Sequence, residues 1–578
     1  MNSETTMIKV GAARFSRALL LAALALYAVG AAQAEEPRYF AIRHARIVPV
    51  SGPEIKSGTV VMAKGLIVAV GENVTIPPEA WVIEGRGLTV YPGFIDALSD
   101  LGLGAAAPAA PAGGGGGGGP GRGQMQAQQP TSMGPQDRPA TTPWVNAADE
   151  LKPDDKRLET WRNAGFTSAL TIPLTGIFAG QGAVVNLAGD RAGEMVVTAP
   201  AALLVTLQPV RGFGNFPYSL MGVISYVRQV YLDANWYREA EAAYNAHPQG
   251  LERPPYDRTE IVVDEALRAG RPVLLPANTA QEVHRALILA DRIGARTVIY
   301  GGQQGYAAAG ELGSAKVPVL VNLKWPEKEK DADPEAEEIL RELRFRDRAP
   351  SSPAAFQKAG VKFAFYLEGA GSPKDALKNA KKAIDAGLAP DAALRAFTLS
   401  AAEILGVGDR LGSIEVGKIA NLVVADGDIF NEKTKVKMTF VDGRRYDVHE
   451  PERPTEPPTV KLTGKWKLTV NAPHGVQGAT ADLAMAPDGG LSGSVTGVSG
   501  EIMGSMGTVS ISDGWVSGNK FNFKITLTVE GAPLEVTFSG TLEGEQMKGT
   551  ASGGGVSADF TGVHPSGTGG VSGAEEVE

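Results

Sequence analysis

Pro272-Val273-Leu274-Leu275-Pro276-Ala277, then Thr279 to Ile293, then Thr297-Val298-Ile299-Tyr300-Gly301: two short apolar runs flank an amphipathic stretch. Runs this short and this aliphatic suit strands buried on both faces of a parallel sheet. The stretch between them predicts a helix. Thr279 would cap it, with Val283, Ala286, Leu287, Ala290 and Ile293 on one apolar face. Similar apolar runs lie at 167–173 and 201–208 before this unit, and at 317–323 and 361–367 after it. Helical patterns recur at 374–386 and 391–405. Repeated βα units from 91 to 408 predict an α/β fold of the TIM-type (β/α)8 barrel class. A doubly wound open sheet is the alternative.

Outward from this region the pattern changes. Residues 38–90 read as short strands, with turns at Ala63-Lys64-Gly65 and Gly85-Arg86-Gly87. Residues 410–448 return to strands. A proline-rich linker, 449–458, then leads to a separate β-rich module at 459–564. There Phe521, Phe523, Ile525, Leu527 and Val529 alternate with Lys520, Asn522, Lys524, Thr526 and Thr528. Eight such strands joined by tight turns predict an all-β barrel or sandwich with a filled interior, the alternative being a small apolar ligand inside. Residues 565–578 read as a flexible tail. Between 104 and 142 the chain is rich in glycine, proline, alanine and glutamine, a composition that predicts a disordered insertion.

The first 34 residues read as a cleaved secretory signal peptide. Lys9, Arg14 and Arg17 precede an apolar run, and Ala32-Gln33-Ala34 supplies small residues at the cut. The run is shorter than the ~20 residues a membrane span needs. Met7 is an alternative start. The expectation is an exported, periplasmic or secreted protein with no membrane span after cleavage. The chain has no cysteine, which excludes disulfides, thiolate metal sites and cysteine nucleophiles. A formal net charge of −9 gives no electrostatic case for nucleic acid.

The opening block contains Ala45-Arg46-Ile47-Val48-Pro49-Val50, Gly58-Thr59-Val60-Val61-Met62, and Tyr91-Pro92-Gly93-Phe94-Ile95-Asp96-Ala97. The closing block contains Leu411-Gly412-Ser413-Ile414, Gly417-Lys418, Ala420-Asn421-Leu422-Val423 and Val441-Asp442-Gly443. In this order over 38–448 the chain resembles the amidohydrolase superfamily, close to imidazolonepropionase-like and dipeptidase-like members. The resemblance implies a metal-hydrolase barrel and a small β-sandwich built from both flanks, 38–90 and 410–448.

The family's chemistry uses a divalent metal at the C-terminal mouth of the barrel, to activate water and polarise a carbonyl. Its first-strand His-x-His falls here on Leu98 and Asp100. Its strand-5 and strand-6 histidines fall on Pro276 and Gly301, and its strand-8 aspartate on Glu368. Of six histidines in the chain, only His247 and His284 lie in the barrel region. His247 is placed at a helix end and His284 on an outer helix, so neither can build the family's metal site.

Asp96, Asp100 and Glu368 remain, at the ends of strands that a closed barrel makes neighbours. Glu368 is the candidate general base and Asp100 its electrostatic partner. No metal site and no cofactor are expected, a divalent ion entering only if carboxylates suffice. Gly180-Gln181-Gly182 resembles a loop of large exported amidohydrolases, and the aromatic residues of 216–247 read as packing at helical spacing. The sequence therefore points to an exported pseudoenzyme that binds a small molecule or a related amidohydrolase subunit, with its own oligomeric state left open. The alternative is an active hydrolase of amide or other non-peptide C–N bonds, using carboxylates or a partner chain's residues.

Overall fold

The computed structural model describes residues 39–104, 138–210, 216–328, 337–368, 372–448, 456–472, 475–487, 489–498, 508–529, 532–553 and 556–564. The expected leader, the linker up to residue 455, the tail from 565 and most of the glycine-rich insertion lie outside the described residues. The chain divides into two compact units, the first ending at Val448 and the second beginning at His449.

The first unit opens with β1 (Tyr39–Ile47), β2 (Ile55–Ala63), β3 (Leu66–Gly71), β4 (Trp81–Glu84) and β5 (Thr89–Pro92). The β2–β3 turn holds Lys64 and Gly65 at positive φ, and a Cβ on Gly65 would sit 2.6 Å from Asp442 Oδ1. Only glycine fits that approach.

The barrel strands follow: β6 (Phe94–Ser99), β7 (Phe166–Thr171), β8 (Phe178–Asn186), β9 (Val196–Val205), β10 (Val273–Ala277), β11 (Thr297–Gly301), β12 (Val319–Asn322) and β13 (Phe363–Tyr366). They form one eight-stranded sheet in chain order, rolled into a nearly closed TIM-type barrel. Across the closure, the Leu367 amide donates to Asp96 Oδ1 at 3.2 Å. Seven strands run parallel, but β8 is antiparallel to both β7 and β9. The Gly180-Gln181-Gly182 segment, expected as a loop, lies inside β8.

Helices occupy the expected places. The helix Ala280–Ile293 starts at a capping box, Thr279 accepting from the Glu282 amide and Glu282 from the Thr279 amide. Its buried residues are Val283, Ala286, Leu289 and Ile293. The stretch read as one helix at 391–405 is two, Pro390–Phe397 and Leu399–Ile404, because Thr398 leaves helical geometry between them. The second helix covers the N-terminal end of the barrel: Arg296, just before β11, donates to the Ile404 carbonyl, and Lys362, just before β13, pairs with Glu403.

The chain then returns to the first sheet with β14 (Leu422–Ala425), β15 (Val436–Val441) and β16 (Arg444–Asp447). β14 pairs with β5, so both flanks share one sheet in the order β16-β15-β14-β5-β1-β2-β3, with β4 beside β1. Its apolar side chains, among them Phe40, Ile42, Val60, Leu422 and Phe440, converge in one core. Buried Asn421 joins this sheet to the barrel. Its amide group donates to Ser168 Oγ and Asn186 Oδ1, and its Oδ1 accepts from the Asp442 amide. Lys418 is likewise buried, donating to the Gly408 carbonyl and Ser413 Oγ at 2.7 and 2.6 Å. These contacts give the closing-block residues structural tasks.

The second unit is a closed meander of β17 (Gly464–Ala472), β18 (Gly475–Met485), β19 (Gly490–Val498), β20 (Thr508–Ser517), β21 (Lys520–Val529), β22 (Ala532–Glu543), β23 (Gln546–Gly553) and β24 (Val556–Val563). β17 pairs with β24, which decides for a barrel over a sandwich. Trp466, Leu468, Phe521, Phe523, Ile525, Phe538 and Phe560 fill its interior.

One expectation needs correction. The far edge of the 104–142 insertion is built into the fold. Arg138 pairs with Asp257 and Glu260 at 2.7 Å each, Thr141 is buried against the Tyr226 hydroxyl, and Thr142 donates to the Phe178 carbonyl. Composition missed this because Arg138-Pro139-Ala140-Thr141-Thr142 finds its partners far away in sequence.

Candidate functional site

Alternation along the parallel strands sets what faces the barrel interior. Leu274, Val298, Leu320 and Ala364 join one interior cluster, whereas Leu275, Ile299, Val321 and Phe365 face the helices. Two residues further along lie Pro276 on β10, Tyr300 on β11, Asn322 on β12 and Tyr366 on β13, with Glu368 just past the strand end. Tyr300 packs against the interior cluster, and Leu98 belongs to it.

Pro276 pairs in register with Tyr300, so Tyr300 holds the inward position of β11 at that height. Gly301, where family spacing points, has φ 111°, and a Cβ there would lie 2.5 Å from Asn278 Oδ1. No side chain fits there without a shift.

The three carboxylates have different fates. Asp96 is fully buried and accepts from the Trp161 indole at 3.1 Å and from the Leu367 amide. Burial pushes its pKa up to about 7, against those hydrogen bonds. Asp100 accepts from Arg157 at 2.8 Å, and Arg157 also grips Asp155. Glu368 reaches solvent at the rim, and no ion pair or hydrogen bond engages its carboxyl among the described residues. The group is nonetheless held above the usual carboxylate range, by desolvation first and by the Asp100 charge second, with Lys324 opposing.

The sequence-predicted pair is therefore brought into electrostatic reach, but Asp100 is already committed to Arg157. Around Glu368 stand groups that spacing alone did not single out. Asn322 donates to the Glu368 carbonyl at 3.1 Å and accepts from the Lys324 amide at 2.7 Å. The Tyr366 and Tyr300 phenols are pushed upward by burial and by the Glu368 charge, so both remain protonated donors at neutral pH.

His284 is exposed and paired with Glu311, and His247 caps the end of the helix Leu220–Ala246. Among the described residues no group of three or more His, Asp or Glu side chains is placed to hold a metal ion. The residues present do not fit the family's metal. Leucine, proline and glycine stand at its ligand positions, Asp96 is buried and engaged by the Trp161 and Leu367 N–H groups, and Asp100 is paired with Arg157.

A model described as "Amidohydrolase family" matches residues 339–446, which span the last barrel strand and the closing flank. The crystal structure of an amidohydrolase from Thermotoga maritima MSB8 is 25% identical, covers 71% of this chain and 100% of its own, and superposes with a TM-score of 0.57. Residues 339–446 are thus similar to the amidohydrolase family, and the chain is similar in fold to the Thermotoga amidohydrolase. A putative prolidase from Bifidobacterium longum is 18% identical over 72% of this chain and 97% of its own, with a TM-score of 0.44. No curated protein matches the chain. Among the described residues no helix is long and apolar enough to cross a membrane.

Proposed function

We propose that this amidohydrolase-fold chain is an exported pseudoenzyme that binds a small molecule at the barrel mouth without hydrolysing it. The observation that carries the reading is that Leu98, Pro276 and Gly301 stand where the resemblance calls for metal-binding histidines, with the Tyr300 and Tyr366 phenols lining the mouth beside them. Phenols, an amide and one accessible carboxylate can orient a ligand by hydrogen bonding. Activating water is another matter: a carboxylate acting alone contributes about 10²–10⁴-fold. Enzymes as a class reach about 10⁶-fold or more. The leader supports export, and the mature chain would act in the periplasm or outside the cell.

The test is a panel of dipeptides, N-acyl amino acids and cyclic amides, assayed with and without added zinc. The expected outcome is no turnover above background, no stoichiometric zinc by elemental analysis after dialysis, and calorimetric binding of a panel member that weakens about tenfold in Glu368→Gln. Robust turnover abolished by Glu368→Gln would establish the carboxylate-based hydrolase instead.

A further inference from the structure

The helix Leu220–Ala246 carries large apolar side chains on two opposite sides. Val223, Val227, Val230, Tyr231, Ala234 and Tyr237 are buried against the barrel. On the opposite side, within a stripe about 80° wide at 100° per residue, lie Met221, Arg228, Leu232, Trp236 and Glu239, all exposed. Met221 is 78%, Leu232 48% and Trp236 59% exposed. Seven of the seventeen exposed large hydrophobic residues among the described residues fall between 216 and 256. Large apolar side chains concentrated in this way on a surface mark a contact region.

We infer that this stripe is the interface of a two-fold symmetric homodimer, in which the helix packs antiparallel against its copy. The pattern reads nearly alike in both directions. With the axis level with Ala234, Leu232 of each copy faces Trp236 of the other. Arg228 lies six residues before the axis and Glu239 five after it, so each arginine comes level with the other copy's glutamate. An isologous interface requires this self-complementarity, and a heterologous partner does not. Among the described residues neither Arg228 nor Glu239 has a hydrogen bond or ion pair, so both are available. The helix is about 40 Å long at 1.5 Å per residue. Length on that scale, flanked by exposed Tyr218 and Tyr256, can supply the ~1,000 Å² or more that a stable interface buries.

Sedimentation equilibrium of the purified chain over a wide concentration range reads the result directly. The wild type is expected to be a dimer. Trp236→Glu should raise its dissociation constant by about 30-fold or more, the scale of an interface hot spot. Circular dichroism should be unchanged, because the side chain is exposed. Arg228→Glu and Glu239→Arg should each weaken the dimer by about tenfold, and the double exchange Arg228→Glu/Glu239→Arg should recover most of the loss. Recovery is specific to self-pairing, since an unrelated partner would meet both reversed charges. A wild type monomeric throughout, a dimer indifferent to Trp236→Glu, or a double exchange weaker than either single one would each overturn the inference.

Discussion

The carboxylate of Asp96 accepts from the Trp161 indole and from the Leu367 amide, so one side chain ties the first barrel strand to the last. Its neighbours decide its charge. Burial raises its pKa to about 7, while an unfolded aspartate titrates near ~3.9. Between those values the folded state holds the extra proton, so the contribution is fully present at low pH and is lost as pH rises through 7. Asp96→Asn removes this titration, and its amide nitrogen faces a donor, which costs about 1–3 kcal/mol. Denaturant unfolding from pH 4 to pH 8 should show the wild-type advantage shrinking toward high pH. An advantage that grows instead would mean that the N–H donors outweigh burial and keep the group ionised. How much of the site was legible follows the same logic. Chain order placed Asp96, Asp100 and Glu368 together, because first and last strands meet in a closed barrel. Arg157, which neutralises Asp100, could not be read from spacing. Tyr300 and Tyr366 could have been: counting by twos from Val298 and Ala364 reaches them, whereas family spacing pointed to Gly301.

At the level of elements, β8 shows why a barrel strand escaped reading. Its sequence, Phe178-Ala179-Gly180-Gln181-Gly182-Ala183-Val184-Val185-Asn186, carries two glycines that look like loop residues. In the fold they permit close approach. A Cβ on Gly180, at φ 146°, would lie 2.8 Å from the Val145 carbonyl oxygen, and one on Gly182 would lie 2.9 Å from Leu170. Register shifts at both positions let this antiparallel strand follow the barrel's curvature. Gly180→Ala should therefore cost about 1–3 kcal/mol of backbone strain, read as a lower melting temperature of the first unit. An unchanged melting temperature would mean that the Val145 loop moves aside at no cost. The helix Ala280–Ile293 was legible because its signals are local. Thr279→Ala removes one half of the capping box and should cost about 1 kcal/mol. Local signals survive without tertiary context, and close approaches between distant segments do not.

For the whole molecule, the two units differ in how each core is assembled. The first threads both ends of a 410-residue span, Tyr39 to Val448, into one sheet, and Asn421 binds that sheet to the barrel. It cannot be cut without exposing a core. The second is closed within itself: β17 meets β24, so no strand edge is left open, and its aromatic residues pack in its own core. Phe523 and Phe538 lie 4.9 Å apart, and Phe538 and Phe560 5.1 Å. A fragment from Pro458 to His564 should therefore give a cooperative β-type melt alone, at the temperature of one transition of the intact chain. Phe523→Ala opens a cavity at the centre of that stack, costing about 3–5 kcal/mol. In the intact chain it should lower or abolish this transition and leave the other in place, as calorimetry would show. A single transition that shifts as a whole would mean that the units are thermodynamically coupled across the linker. An unfolded fragment would place the boundary elsewhere.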